Sequence, residues 1–128
     1  METLTPTEER IMQIIWKLGK CLVRDVMAQL PEPDPRYSTV SSVVRILEKK
    51  GFVGHKAYGR TYEYFPLISL EAYRKFSFGR LLSDYFDDSY EQVVSFLVKE
   101  ESLSKSEINE LLEAIDQDEK QSGSTPQE

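Results

Sequence analysis

Ile11, Ile14, Ile15 and Leu18 recur three and four residues apart, with Met12 and Trp16 widening the stripe, which predicts a first amphipathic helix. Thr5-Pro6-Thr7-Glu8 marks its start: threonine can cap, proline suits the first helical position, and glutamate can close a capping box. Gly19 marks its end. Cys21-Leu22-Val23 reads as a very short strand before a second helix over Val23 to Leu30, whose inner face is Val26, Met27 and Leu30. Pro31 stops that helix and opens a rigid, extended connector through Pro35. Ser38 is placed to cap a third helix reaching about Lys50, with Val40, Val43, Val44 and Leu47 as its buried stripe. Its opposite face carries Ser38, Ser41, Ser42, Arg45 and Lys49. Beyond Gly51, β-favouring residues flank Ala57-Tyr58-Gly59-Arg60 on both sides, the pattern of a hairpin.

After Pro66 the composition shifts. Leu70 to about Phe86 reads as a long helix rich in aromatics, Asp87-Asp88-Ser89 as a break and new cap, and Tyr90 to Glu100 as a second helix lined by Val93, Val94, Leu97 and Val98. Ser104 and Glu107 form a capping box for a third, with Ile108, Leu111, Leu112 and Ile115 inward. The expected fold is mainly α with a small β-hairpin wing. It divides into a winged helix-turn-helix domain over residues 1–68, a helical dimerisation region over 69–117 and a disordered tail over 118–128. About fifty residues of helix make little independent core. Tyr73, Phe76, Leu81, Leu82, Tyr85, Phe86, Val94, Leu97, Ile108, Leu111, Leu112 and Ile115 are therefore expected to pair with a second copy of the chain, in preference to folding back on its own amino-terminal half.

Charge sharpens this division. The 128-residue chain is net −6, yet residues 1–65 carry 10 basic and 8 acidic side chains against 6 and 14 in residues 66–128. Between Arg36 and Pro66, Arg36, Arg45, Lys49, Lys50, Lys56 and Arg60 are opposed by Glu48 and Glu63 alone. Such a basic island on a helix and hairpin is the footprint of a surface that meets phosphate. Short hydroxyls let a helix sit deep in a major groove, and arginine can pair with guanine in bidentate fashion. Ser41, Ser42 and Arg45 are thus candidates for base contact, and Arg36, Ser38, Thr39, Lys49, Lys50, Lys56 and Arg60 for the DNA backbone. A solvated helix face is the plainer account of α-helical serines; the hairpin behind the helix favours the groove.

Other singled-out residues have ordinary explanations. Trp16 reads as core or domain packing before ligand stacking. Cys21, without a partner cysteine, reads as a small core residue before a redox or metal ligand. His55 has no second ligand or carboxylate placed to make it catalytic. No cofactor or metal is expected, and no constellation suggests an enzyme. The absence of an apolar run of about 20 residues and of a basic-then-apolar leader in METLTPTEER points to a cytoplasmic chain without membrane insertion.

Four segments in order, LTPTEERIMQIIW, STVSSVVRILEKKGFV, YGRTYEYFP and LSKSEINELLEAI, resemble the penicillinase-repressor (BlaI/MecI/CopY) family of bacterial transcription regulators. The resemblance implies a homodimeric repressor that binds a palindromic operator in double-stranded DNA and dimerises through its carboxy-terminal helices. It also implies a membrane-bound sensor metalloprotease encoded nearby and inactivation by cleavage in the dimerisation region. The pair matching the cleavage point of the β-lactam branch is Ser95-Phe96, which keeps the phenylalanine and replaces the asparagine. The cysteine cluster of the copper-responsive branch is absent, and Ile46 stands where relatives often carry arginine. The competing class is a winged-helix protein-interaction module without sequence-specific DNA binding.

Overall fold

The computed structural model describes residues 1–31 and 36–122, in the order α1 (Pro6–Leu18), α2 (Val23–Gln29), α3 (Tyr37–Lys49), β1 (Val53–Tyr58), β2 (Thr61–Pro66), α4 (Leu70–Phe86), α5 (Tyr90–Glu100) and α6 (Lys105–Ser122). It is a mainly helical protein with a two-stranded antiparallel wing. The proline connector expected over 31–35 lies almost wholly outside the described residues. Two compact units are present, Met1–Phe78 and Gly79–Glu128.

In the first unit, α1 begins with the capping box its sequence calls for. The Glu8 N–H donates to Thr5 Oγ1 at 3.2 Å and the Thr5 N–H donates to Glu8 Oε1 at 3.0 Å. It ends at Gly19, whose φ of 77° is open to glycine at little cost. The third helix differs from expectation. Arg36 occupies the cap position without a side-chain cap bond, and Ser38 lies inside the first turn, exposed.

The hairpin pairs Val53 with Pro66 through to Tyr58 with Thr61, leaving Gly59-Arg60 as a two-residue loop. Gly59 takes a positive φ of 65° at the first loop position, where a type II′ turn requires glycine. The short strand expected at Cys21 is a single bridge: its N–H donates to the Tyr64 carbonyl at 2.9 Å and its carbonyl accepts from the Tyr64 N–H at 2.7 Å. That bridge ties the wing to the α1–α2 link. The core beneath is close-packed, with Met12, Ile15, Leu47, Phe52 and Val53 fully buried.

The beginning of α4 belongs to this core. The Tyr73 ring meets Phe52 edge-on at 5.7 Å, and its hydroxyl donates to Glu9 Oε2 at 2.7 Å. Trp16 packs on Tyr73 at 5.3 Å and donates its indole N–H to the Ile68 carbonyl at 2.8 Å. Phe76 packs against the same cluster. Tyr73, expected on a surface covered by a second chain, is thus covered by its own unit, and Phe76 is half-buried against it. A tyrosine whose hydroxyl finds a carboxylate can bury its ring, and the α1 stripe supplies both.

In the second unit, Asp87 and Asp88 both adopt left-handed backbone, φ 52° and 57°, a conformation aspartate tolerates better than most residues. Ser89 then caps α5, accepting from the Gln92 N–H at 3.1 Å. Phe86 meets Phe96 edge-on at 5.7 Å, and Leu82 is buried. Ser104 and Glu107 form the expected capping box of α6. That helix runs to Ser122, so residues 118–122 are helical where an unstructured tail is expected; 123–128 lie outside the described residues. Repeated helix formers (Leu, Glu, Ala, Lys, Gln) carry it past its last apolar position.

Candidate nucleic-acid interface

The buried residues of α3 are Val40, Ser41, Val44 and Leu47, while Val43 is only half-buried. The inward stripe is therefore turned toward Ser41 relative to the run of valines. Ser41 is 7 % exposed and its hydroxyl accepts from Arg45 Nη2 at 3.3 Å. A buried hydroxyl needs such a partner. Ser41 is not displayed to a base; it positions the arginine one turn on.

The outward face is made of Ser38, Thr39, Ser42, Arg45, Ile46 and Lys49, all exposed. Ile46, 41 % exposed, puts an apolar side chain among them. It can meet a thymine methyl or a sugar edge, where arginine would have made hydrogen bonds. Lys56 and Arg60 are exposed on the hairpin, Lys56 with its ammonium 5.5 Å from the Tyr58 ring centroid. Among the described residues, Arg36, Arg45, Lys49, Lys56 and Arg60 make no salt bridge. These five cations lie on α3, its cap and the adjoining hairpin.

Lys50 is different. Its Nζ lies 2.6 Å from Glu8 Oε1 and 2.9 Å from the Thr3 carbonyl oxygen, so it ties the end of α3 to the start of α1. Burial pushes the Glu8 carboxyl up, but the bonds from Lys50 and Thr5 outweigh it and hold the group below its usual value. His55 does have a carboxylate beside it, contrary to the sequence expectation: Nδ1 sits 2.6 Å from Glu48 Oε2 at the end of α3, and the ring stacks on Tyr62 at 4.3 Å. Cys21 is buried, and its thiol is pushed up to about 11 by burial and by Asp25 and Glu63, as suits a core residue.

Between the start of α2, α3 and the hairpin lies a groove of about 690 Å³. Arg24, Arg45 and Arg60 line it with Tyr37, Tyr62 and Tyr64, and among the described residues no carboxylate lines it. Arg24 lies over the Tyr37 ring, 5.5 Å from guanidinium carbon to ring centroid. The Tyr64 hydroxyl is pushed up by burial and by Glu48, so it stays protonated and able to donate. Arg24 and Tyr37 escape a reading of the α3 pattern alone. Arg24 stands on α2 opposite the buried Val26, and its relation to Tyr37 appears only when the helices are packed.

On the second unit, Leu81, Tyr85, Val94, Leu111, Leu112 and Ile115 are exposed, while Phe86, Leu97 and Ile108 are half-buried and Leu82 is buried. Ser95 is half-buried on α5 and Phe96 is 43 % exposed. Among the described residues no cluster of histidine, cysteine, aspartate and glutamate could hold a metal ion, and no helix is long and apolar enough to cross a membrane.

A family model described as "Penicillinase repressor" matches residues 4–117. The chain is 24 % identical over 115 residues to the penicillinase repressor of Bacillus licheniformis, covering 89 % of this chain and 90 % of that one. It is 22 % identical over 109 residues to the methicillin resistance regulatory protein MecI of Staphylococcus aureus strain N315, covering 84 % and 89 %. Among solved structures, one titled "CopR Repressor Structure" superposes on 53 % of this chain and 100 % of its own, with 30 % identity and a TM-score of 0.44.

Proposed function

The chain belongs to the penicillinase repressor family and is a winged-helix transcriptional repressor; from that premise we propose that it represses by occupying a palindromic operator in double-stranded DNA as a homodimer. The observation that carries this is the run of cations along α3 and the hairpin, without a salt bridge among the described residues, in a chain whose second half is acidic. Two α3 helices related by a two-fold axis would enter successive major grooves about 10 base pairs apart. Arg45 and Ser42 read base edges, with Arg45 held by Ser41. Arg36, Ser38, Thr39, Lys49, Lys56 and Arg60 hold the backbone and supply most of the affinity.

Dimerisation through the exposed apolar faces of α4, α5 and α6 makes the second half-site an intramolecular encounter. Release follows from proteolysis in that region, at Ser95-Phe96, by a membrane-bound sensor metalloprotease encoded nearby. Cutting there would remove the end of α5 and all of α6, and with them much of the apolar face, without touching α3. The decisive experiment is a mobility shift on the DNA upstream of the chain's own gene at fixed, near-physiological salt, because affinity without stated salt has no meaning. A selective shift over random DNA is expected. Equal binding to both, or none, would end the repressor reading and favour a protein-docking module.

A further inference from the structure

The groove between α2, α3 and the hairpin is more than the edge of a DNA-reading face. Its volume of about 690 Å³ lies within the range of sites that enclose small molecules. Arg24 comes from α2, Arg45 from α3 and Arg60 from the hairpin loop, so three separate elements aim guanidinium-bearing side chains at one concavity. Among the described residues no carboxylate lines the groove, so the three like charges repel one another and a bound anion would relieve that repulsion.

Two of the three cations are held in place. Tyr37 lies under Arg24, and Ser41 accepts from Arg45. Fixed guanidinium forks match the oxygens of phosphate and carboxylate, and tyrosine hydroxyls add donors along the wall. The tyrosine rings supply flat apolar surface beside the charge. We propose that this groove is an oxyanion-binding site, with Arg24, Arg45 and Arg60 as its cations and Tyr37 and Tyr62 as its walls. Because Arg45 and Arg60 also belong to the proposed DNA face, an anion in the groove and DNA on that face draw on the same charges. Only this coupling rests on the repressor reading; the groove stands on its own geometry.

The oxyanion can be a backbone phosphate of DNA or a free small acid, and phenyl phosphate, with a dianion on a flat ring, serves as probe for both. The full chain is titrated with it at constant ionic strength while amide resonances are followed. Saturable shifts confined to the start of α2, α3 and the hairpin are expected, and Arg24→Gln should weaken binding about tenfold, as loss of a charge-assisted contact does. Shifts scattered over every surface cation, or unaltered binding in Arg24→Gln with native circular dichroism, would overturn the proposal. The DNA arm identifies the source. A drop in DNA affinity in Arg24→Gln, with displacement of DNA by the probe, identifies a backbone phosphate. DNA affinity within twofold of wild type, with displacement lost in the variant, identifies a free acid. If the chain binds no DNA at all, saturable probe binding still supports the groove while the repressor reading fails.

Discussion

Lys50 places its ammonium 2.6 Å from Glu8 Oε1, joining the C-cap of α3 to the first turn of α1 across 42 positions of sequence. The side chains are largely shielded, at 20 % and 9 % exposure, and the lysine also meets the Thr3 carbonyl. The ion pair makes Lys50 a structural tie in the midst of a cluster of exposed cations.

Lys50→Met should therefore destabilise the protein by about 1.5–3 kcal/mol, the range for a hydrogen bond to a charged group, yet leave DNA affinity of the folded protein and its salt slope as in wild type. Denaturant melts and mobility shifts on the same preparation check it. The pH dependence has a definite sign. The Glu8 carboxyl is held below its ordinary value in the folded state, so its contribution is fully present above about pH 4.3, the ordinary glutamate value, and is lost as pH falls through the folded value. The loss of stability on acidification through that window should be smaller in Lys50→Met than in wild type.

Arg45 and Lys56 should separate reading from holding. Arg45→Ala is expected to cost about 1–3 kcal/mol on the cognate operator and much less on random DNA. Lys56→Ala should weaken both alike and reduce the salt slope by about 1. Ser41→Ala, which removes the acceptor that holds Arg45, should lower discrimination in the same direction as Arg45→Ala but by less, with native stability nearly kept. Ser42→Ala should lower affinity without loosening Arg45. Equal losses for Arg45→Ala on cognate and random DNA would remove it from base reading.

The helices, most of their caps and the hairpin were legible because each rests on local chemistry: Thr5 with Glu8, Gly19, Gly59, Ser89 with Gln92, and Ser104 with Glu107; the cap of α3 was not, since Arg36 and not Ser38 takes that place. The roles of Ser41, Lys50 and Tyr73 were not, because each is decided by a partner reached only through packing. Ser41 looks like a polar-face residue until the helix is turned to bury it. Lys50 is indistinguishable from Lys49 in sequence, yet one is exposed and the other tied to α1. Tyr73 belongs to an aromatic run whose later members, such as Tyr85 at 77 % exposure, remain uncovered. One stripe thus serves two destinations, and periodicity alone does not mark where the first yields to the second.

Cys21 should be inert in the native protein. With its thiol pushed up to about 11 by burial and neighbouring carboxylates, the thiolate is scarce at pH 8. Labelling by a disulfide reagent should run about 100-fold slower than for a free cysteine and accelerate to the free rate in denaturant. Prompt labelling in buffer would show that the Cys21–Tyr64 bridge opens readily.

The exposed stripe of α6 carries the final prediction. Leu112 and Ile115 are 58 % and 57 % exposed, so charging them should not cost the single chain its fold. If that face is where two copies meet, two glutamates per chain put four unpaired carboxylates into a desolvated seam, which no dimer of this size tolerates. Leu112→Glu with Ile115→Glu should therefore scatter light as a monomer at micromolar concentration while keeping its helical signal. Operator affinity should fall by about 100-fold or more, the gain that linking two half-sites provides, and binding to an isolated half-site should be unaltered. A wild-type protein that is already monomeric at that concentration, or a double variant that stays dimeric, would move the interface off this face.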